Sequence, residues 1–160
     1  MPVSARVLLV EPSQLFSDLL IYYCSARFQT CAFRSVQSAG AARELTAQLP
    51  PDVILIDPNL SGRDGWDLLQ DLGSSKRRVV VMAYVWSEYT SYKTRRISLR
   101  GAFDKSAMAA VEWIDAMGRV LNGDEYYSES FGERLARFTN RATFGRLLSE
   151  RDVAFIELAG

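Results

Sequence analysis

The residues best placed to do chemistry in this 160-residue chain are two acids and a lysine, Glu11, Asp57 and Lys105. Glu11 follows the apolar run RVLLV, Asp57 ends the run VILID, and Lys105 stands just after a very short apolar segment. If these runs are parallel strands of one sheet, their carboxyl ends lie at the same edge, and the three side chains meet there. We expect Lys105 to form an ion pair with Asp57 or Glu11; the alternative is a solvated lysine.

The composition excludes several classes of function. The chain contains no histidine, which removes histidine catalysis and the commonest zinc ligand. Lys and Arg balance Asp and Glu at 19 each, so no overall field recruits nucleic acid or an anionic membrane. Cys24 and Cys31 fit neither a metal spacing nor a disulfide framework, which suits a reducing cytosol. The sequence lacks a signal peptide and a membrane-spanning run, so we expect a cytoplasmic protein with no membrane partner.

Short apolar runs alternate with amphipathic stretches along the first 121 residues. The predicted strands are 6–10, 30–36, 53–57, 79–83 and 102–103, and the predicted helices are 13–26, 39–49, 66–72, 87–98 and 107–121. Five strand–helix pairs predict an α/β fold: a doubly wound, five-stranded parallel sheet, (βα)5, with right-handed crossovers. A further helical stretch at 131–138 predicts a C-terminal helical extension.

Four segments carry a resemblance to a known family. VLLVEP, VILIDPNLSGRDGWDLL, VVVMAY and RGAFDKS, in this order and spacing, resemble a CheY-like receiver domain over residues 5–121. The resemblance implies a flavodoxin-like receiver fold and a role in two-component phosphorelay signal transduction. It implies Asp57 as the phosphoacceptor, Lys105 as the partner of the phosphoryl group, and Glu11, Asp57 and the Asn59 carbonyl as magnesium ligands.

Three positions depart from the family pattern. Pro12 replaces the second acid after the first strand, Ala83 replaces a hydroxyl residue, and Ala102 replaces an aromatic residue. Since Pro12 offers no side-chain ligand, we expect magnesium binding to be weak or absent and no cofactor to be required. Since Ala83 and Ala102 lack the groups that relay phosphorylation, we expect an atypical, phosphorylation-independent receiver.

The end of the chain adds a second resemblance. LLSERDVAFIELAG, from Leu147, is similar to the opening helix of LuxR-type helix-turn-helix domains. It implies a transcription regulator of the NarL/FixJ class, with a receiver domain at 1–121, a linker at 122–146 and the truncated start of an output domain at 147–160. DNA binding is then expected only through the missing C-terminal domain, whose recognition helix reads the major groove.

Two surfaces are candidate interfaces. The first helix carries more apolar residues than a one-sided helix buries, and Ile21 and Tyr22 are expected on its outer side. The second surface is aromatic, formed by Trp86, Tyr89 and Tyr92. We expect a homodimer through the first helix, with help from the fifth, although scattered exposed apolar residues are also normal.

Other functions stay open beside this interaction module. One is a conventional phosphoacceptor at Asp57, served by a sensor histidine kinase. Another is a receiver that binds a small molecule in its vacated pocket. An enzyme is not expected: Asp57-Pro58-Asn59 lacks the second acid of a haloacid-dehalogenase-type phosphatase, and Glu11-Pro12-Ser13 lacks the glycines of a dinucleotide or P-loop site.

Overall fold

The structure is a computed structural model that describes residues 4–60, 64–73, 77–84, 94 and 97–144, with side chains described as far as residue 137. The predicted helix 87–98 falls almost wholly outside the described residues, as do Trp86, Tyr89 and Tyr92. The segment 147–160, predicted to open an output domain, also lies outside them.

Parallel strands form a single sheet in the order β2-β1-β3-β4-β5-β6. The strands are β1 Ala5–Val10, β2 Cys31–Val36, β3 Val53–Ile56, β4 Arg78–Ala83, β5 Gly101–Asp104 and β6 Tyr126–Tyr127. The apolar runs of β1, β3, β4 and β5 are almost completely buried, as expected for strands covered on both faces, whereas β2 at the edge of the sheet is only partly buried. Val10 pairs with Ile56, and Ala83 pairs with Asp104, so the carboxyl ends of the strands share one edge.

The helices lie on both faces of this sheet. They are α1 Gln14–Arg27, α2 Ala39–Gln48, α3 Asp64–Gly73, α4 Ala110–Leu121 and α5 Glu129–Phe144. One core cluster joins β-strand residues to α2, α3 and Phe131 of α5, and the other joins the opposite strand face to α1 and α4. The predicted α/β doubly wound fold is confirmed. Among the described residues, no helix has the length and apolar character needed to cross a membrane.

Local hydrogen bonds set where the helices begin. The Ser13 hydroxyl accepts from the Phe16 amide at 3.3 Å, so the predicted cap of α1 is confirmed. Helix α4 begins three residues later than predicted, at Ala110 rather than residue 107. The reason is Asp104, whose carboxylate accepts from the amides of Ser106 and Ala107 at 2.8 and 3.0 Å and holds them in a turn.

The sheet has a sixth strand where five were predicted. Tyr126 and Tyr127 pair in parallel with Gly101 and Ala102, and the Ser128 amide donates to the Ala102 carbonyl at 2.9 Å. Tyr126 and Tyr127 lie beyond residue 121, where the receiver resemblance ends, and they follow the polar stretch Asn122 to Glu125, which is why the sequence did not reveal β6. The region predicted as a linker thus forms a strand and a helix, and α5 extends beyond the predicted stretch 131–138 at both ends.

Helix α1 exposes a different set of residues from the one expected. Tyr22 is exposed as predicted, but Ile21 is half-buried against the core, so the prediction for Ile21 is wrong. Ile21 lies beside the buried side of α1, next to Leu20 and one turn from Ser17. The exposed large apolar side chains of α1 are Leu15, Leu19, Tyr22 and Tyr23, and the polar residues Gln14 and Asp18 are exposed beside them.

Candidate functional site

The three charged residues singled out in the sequence meet at the carboxyl edge of the sheet. The Lys105 ammonium donates to Glu11 Oε2 and to Asp57 Oδ2, both at 2.7 Å. All three side chains are at most 3% exposed. The expected ion pair therefore exists with both acids at once, and a solvated Lys105 is ruled out. We call Glu11, Asp57 and Lys105 the ion triad.

The backbone supplies donors to the other two carboxylate oxygens of the ion triad. Glu11 Oε1 accepts from the Ser13 amide at 2.9 Å, and Asp57 Oδ1 accepts from the Asn59 amide at 2.8 Å. Each of the four oxygens thus has a hydrogen-bond donor. Buried carboxylates need such donors because they have lost their contact with water.

Two aromatic rings contact the Lys105 ammonium in addition to the two carboxylates. The Tyr84 ring centroid lies 4.1 Å from Lys105 Nζ, and the Phe16 ring centroid lies 4.6 Å from it. The two rings also contact each other edge to face, with centroids 6.3 Å apart. Ring faces attract a cation at these distances, so the ammonium is held by two carboxylates and two rings. The sequence analysis did not predict that Phe16 and Tyr84 contact Lys105. The position of Tyr84 directly after Ala83, at the end of β4, could have indicated that Tyr84 lies near the site.

Two of the three departures from the family pattern, Pro12 and Ala83, adjoin the ion triad. Pro12 is exposed and follows Glu11 directly. Ala83 and Ala102 are buried in the core cluster that contains Phe131, on the sheet face covered by α2, α3 and α5. The backbone amide of Lys105 donates to the Ala83 carbonyl at 2.8 Å, so Ala83 contributes its backbone but no hydroxyl to the site.

The residues of this site do not fit a magnesium ion. Glu11, Asp57 and the Asn59 carbonyl would be its ligands, but the Lys105 ammonium already binds one oxygen of each acid. Pro12 offers no side-chain oxygen, and magnesium demands a near-octahedral set of oxygen ligands. No cluster of three or more potential metal-ligating side chains occurs within the described parts of the chain.

Asp104, next to Lys105, ties β5 to α5. Its Oδ1 accepts from the Ser106 amide, the Ser106 hydroxyl and the Ala107 amide, and its Oδ2 accepts from the Ser130 hydroxyl in the first turn of α5. Burial by itself would raise the pKa of Asp104, but the hydrogen bonds from Ser130, Ser106 and Ala107 outweigh it and lower the pKa below its ordinary value.

Comparisons with known proteins identify the fold. No protein-family profile matches the chain. It is 31% identical over 104 residues to protein-glutamate methylesterase/protein-glutamine glutaminase 1 of Dechloromonas aromatica (strain RCB), covering 65% of this chain and 30% of that protein. It is 26% identical over 140 residues to the corresponding protein of Methylobacillus flagellatus, covering 88% of this chain and 37% of that protein. The chain thus spans well under half the length of these curated relatives.

Solved structures similar to this one are receiver domains. A LuxR-family two-component response regulator of Aurantimonas sp. SI85-9A1 has a TM-score of 0.67 at 17% identity, covering 83% of this chain and 96% of that one. The isolated REC domain of RcsB from Salmonella enterica serovar Typhimurium, determined with the phosphomimetic BeF3-, has a TM-score of 0.70 at 14% identity, covering 82% and 98%. A longer RcsB structure from Salmonella typhimurium reaches 0.75 at 14% identity, covering 87% and 68%. The chain therefore has the CheY-like receiver fold, as the sequence resemblance predicted.

Proposed function

We propose that this chain is the receiver domain of a transcriptional response regulator and that it acts by dimerisation without phosphorylation. The observation that carries the proposal is the ion triad. Lys105 binds both Glu11 and Asp57 at 2.7 Å in a buried site, and every carboxylate oxygen has a donor.

The chemistry of phosphoryl transfer explains why this arrangement disfavours reaction at Asp57. A carboxylate that attacks a phosphoryl group needs a free oxygen and a divalent ion to neutralise the crowded negative charges. Here Lys105 binds Asp57 Oδ2 and the Asn59 amide binds Asp57 Oδ1, so attack by either oxygen weakens a hydrogen bond that the buried carboxylate needs, and Pro12 offers no side-chain ligand for magnesium. The Lys105 ammonium supplies positive charge where a receiver with an intact pocket binds a divalent ion.

Leu15, Leu19 and Tyr22 on α1 form an exposed apolar surface that suits a second copy of the chain. We propose that the protein is cytoplasmic and contacts DNA only through a C-terminal helix-turn-helix domain. The methylesterase and glutaminase names belong to the two relatives, and we propose no enzymatic activity for this chain.

Light scattering of the chain with and without acetyl phosphate and magnesium tests the proposal. We expect the same dimeric mass at micromolar concentration under both conditions, because the ion triad needs no phosphoryl group. A monomer that becomes a dimer only with the phosphoryl donor would contradict the proposal.

The second candidate is a conventional phosphoacceptor, with a sensor histidine kinase as partner. It is favoured by the positions of Asp57 and Lys105, which stand at the carboxyl ends of β3 and β5 as in an intact receiver. A small-molecule site at the ion triad has less support, because Phe16 and Tyr84 already cover the ammonium.

A further inference from the structure

Five aromatic rings form a continuous series of contacts from the ion triad to β6. Tyr84 contacts Phe16 with ring centroids 6.3 Å apart, and Phe16 contacts Trp113 at 5.5 Å. Trp113 contacts Phe103 at 5.2 Å, and Phe103 contacts Tyr126 at 5.6 Å. All four contacts are edge to face, with interplanar angles between 66° and 88°. We call these five residues the ring chain.

The ring chain begins at the ammonium of the ion triad. Lys105 Nζ lies over the Tyr84 ring at 4.1 Å and over the Phe16 ring at 4.6 Å. Any movement of the ammonium away from the two carboxylates changes both of these contacts. Tyr84 is 48% exposed, whereas Phe16 is packed against the core between α1 and α4.

The ring chain ends in the strand that leads into the C-terminal helix. The Tyr126 hydroxyl donates to Glu112 Oε1 at 2.7 Å, and the Tyr126 amide donates to the Arg100 carbonyl at 3.1 Å. Burial, then the hydrogen bond and charge of Glu112, raise the pKa of Tyr126 to about 12. After Tyr126 the chain passes through Ser128, whose amide donates to Ala102, and enters α5.

The middle of the ring chain has little freedom to move. Phe103 is fully buried and Trp113 is 5% exposed. Protein interiors are packed as densely as organic crystals, and paired rings prefer a defined edge-to-face geometry. A ring that shifts at one end must therefore displace the next ring or open a void.

We infer that the ring chain couples the position of Lys105 to the packing of β6 and the start of α5. The ring chain leads from the ion triad to the C-terminal segment. It does not involve positions 83 and 102, where Ala83 and Ala102 lack the hydroxyl and the aromatic ring of the family pattern. The route crosses α1, α4, β5 and β6, whereas those two alanines belong to the opposite core cluster. The inference does not depend on the phosphorylation state of Asp57, and so it goes beyond the proposed function.

A second connection between the same two regions must be separated from the ring chain. Lys105 follows Asp104, whose carboxylate binds the Ser130 hydroxyl of α5. This route runs along β5 and involves none of the five rings. Trp113 lies on α4, outside β5, so a change at Trp113 interrupts the ring chain and leaves the Asp104–Ser130 bond in place.

Hydrogen exchange of the full chain, followed residue by residue by NMR, tests the coupling. Lys105→Met removes the charge and keeps the length of the side chain. We expect it to speed exchange of the Tyr126 and Ser128 amides by about fivefold or more relative to the Asp52 amide, which bonds to Arg6 where β1 and β3 begin. In a Trp113→Leu background, we expect the same lysine change to alter this ratio by less than about twofold.

Control variants decide between the possible routes. Ser130→Ala should leave the effect of Lys105→Met unchanged, and Leu45→Ala on α2, which packs in the other cluster, should not produce it. If Trp113→Leu does not fold, Phe16→Leu replaces it and interrupts the ring chain at its second ring. If Lys105→Met does not fold, Tyr84→Leu replaces it and perturbs the exposed end of the ring chain. An undiminished effect in the interrupted background, or its loss in Ser130→Ala, would overturn the inference.

Discussion

At the scale of single residues, the central feature is a lysine shared by two buried acids. The ion triad carries a formal charge of −1 when all three groups are ionised, and burial makes any unpaired charge in it expensive. Two backbone amides and two aromatic rings reduce that penalty. Lys105 is thus a structural counter-ion in this chain.

Removal of Lys105 should destabilise the protein strongly. We predict that Lys105→Ala lowers the free energy of unfolding by about 3–5 kcal/mol, because it leaves two buried carboxylates without their cation. The double variant Asp57→Asn with Lys105→Ala should lose less than the sum of the two single losses, as expected for side chains in direct contact. Urea unfolding of the three variants and the parent measures this.

An exposed ion pair of the same chain provides the control. Arg43 and Asp71 lie 3.2 Å apart on the surface, with side chains 45% and 63% exposed. Arg43→Ala should lower the free energy of unfolding by less than about 1 kcal/mol, because solvent screens such pairs. Additive losses for Asp57 and Lys105, or equal losses for Lys105→Ala and Arg43→Ala, would contradict a structural role of the ion triad.

Asp104 should make the stability depend on pH on the acid side. Its pKa is lowered in the folded protein, so the folded state binds this proton more weakly than the unfolded state. The stability from this group is therefore complete above the unfolded pKa of about 3.9 and is lost as pH falls towards the folded pKa. In urea unfolding at a series of pH values, Asp104→Asn should flatten the fall in stability below that value. An unchanged slope in the variant would show that Asp104 is not the group responsible.

At the scale of elements, α1 has two different sides. Ser17, Leu20 and Cys24 are buried, whereas Leu15, Leu19 and Tyr22 follow one another at spacings of four and three residues along the outer side. Such spacing places them on one stripe of the helix. These side chains face away from the sheet with the exposed Asp18 among them, and we propose that they contact a second copy of the chain.

Charges placed on this stripe should separate the proposed dimer. We predict that Leu19→Glu with Tyr22→Glu gives a monomer by light scattering at micromolar concentration, because two carboxylates on each copy would be buried against those of the other copy. Leu49→Glu is the matched control, since Leu49 is also exposed but lies at the end of α2. A dimer that survives the α1 change, or a parent protein that is already monomeric, would rule out this interface.

The C-terminal helix is held to the sheet by Phe131. This ring is 4% exposed, packs in the first core cluster, and is stacked on Tyr127 with centroids 5.5 Å apart. We predict that Phe131→Ala lowers the free energy of unfolding by about 3–5 kcal/mol or releases α5 from the sheet, seen as faster amide exchange along α5. The exposed neighbour Glu133→Ala should change stability by no more than about 0.5 kcal/mol. Equal effects of the two changes would mean that α5 does not depend on this contact.

Particular elements show how far the sequence could predict this structure. Glu11, Asp57 and Lys105 could be placed together because each follows an apolar run, and the ends of parallel strands meet at one edge. The contacts of the Phe16 and Tyr84 rings with the Lys105 ammonium could not be predicted, because the orientation of a ring depends on the packing between α1 and the strands. Strand β6 was missed because it lies beyond the segments that resemble a receiver, and Ile21 was misplaced because an apolar count does not fix which side of a helix is buried.

At the scale of the whole molecule, the chain combines a receiver fold with three departures from the receiver pattern. The strand order and the positions of Asp57 and Lys105 follow the receiver pattern, whereas Pro12, Ala83 and Ala102 lack a metal ligand and two relay groups. We propose that assembly of the chain, rather than modification of Asp57, is what its partners recognise.

Intact-mass spectrometry after incubation with acetyl phosphate and millimolar magnesium tests this account most directly. We predict that the chain keeps its unmodified mass, because Lys105 and the Asn59 amide each bind one oxygen of Asp57. Asp57→Asn serves as the control for addition at any other residue. Stoichiometric addition of one phosphoryl group to the parent chain, absent in Asp57→Asn, would contradict it.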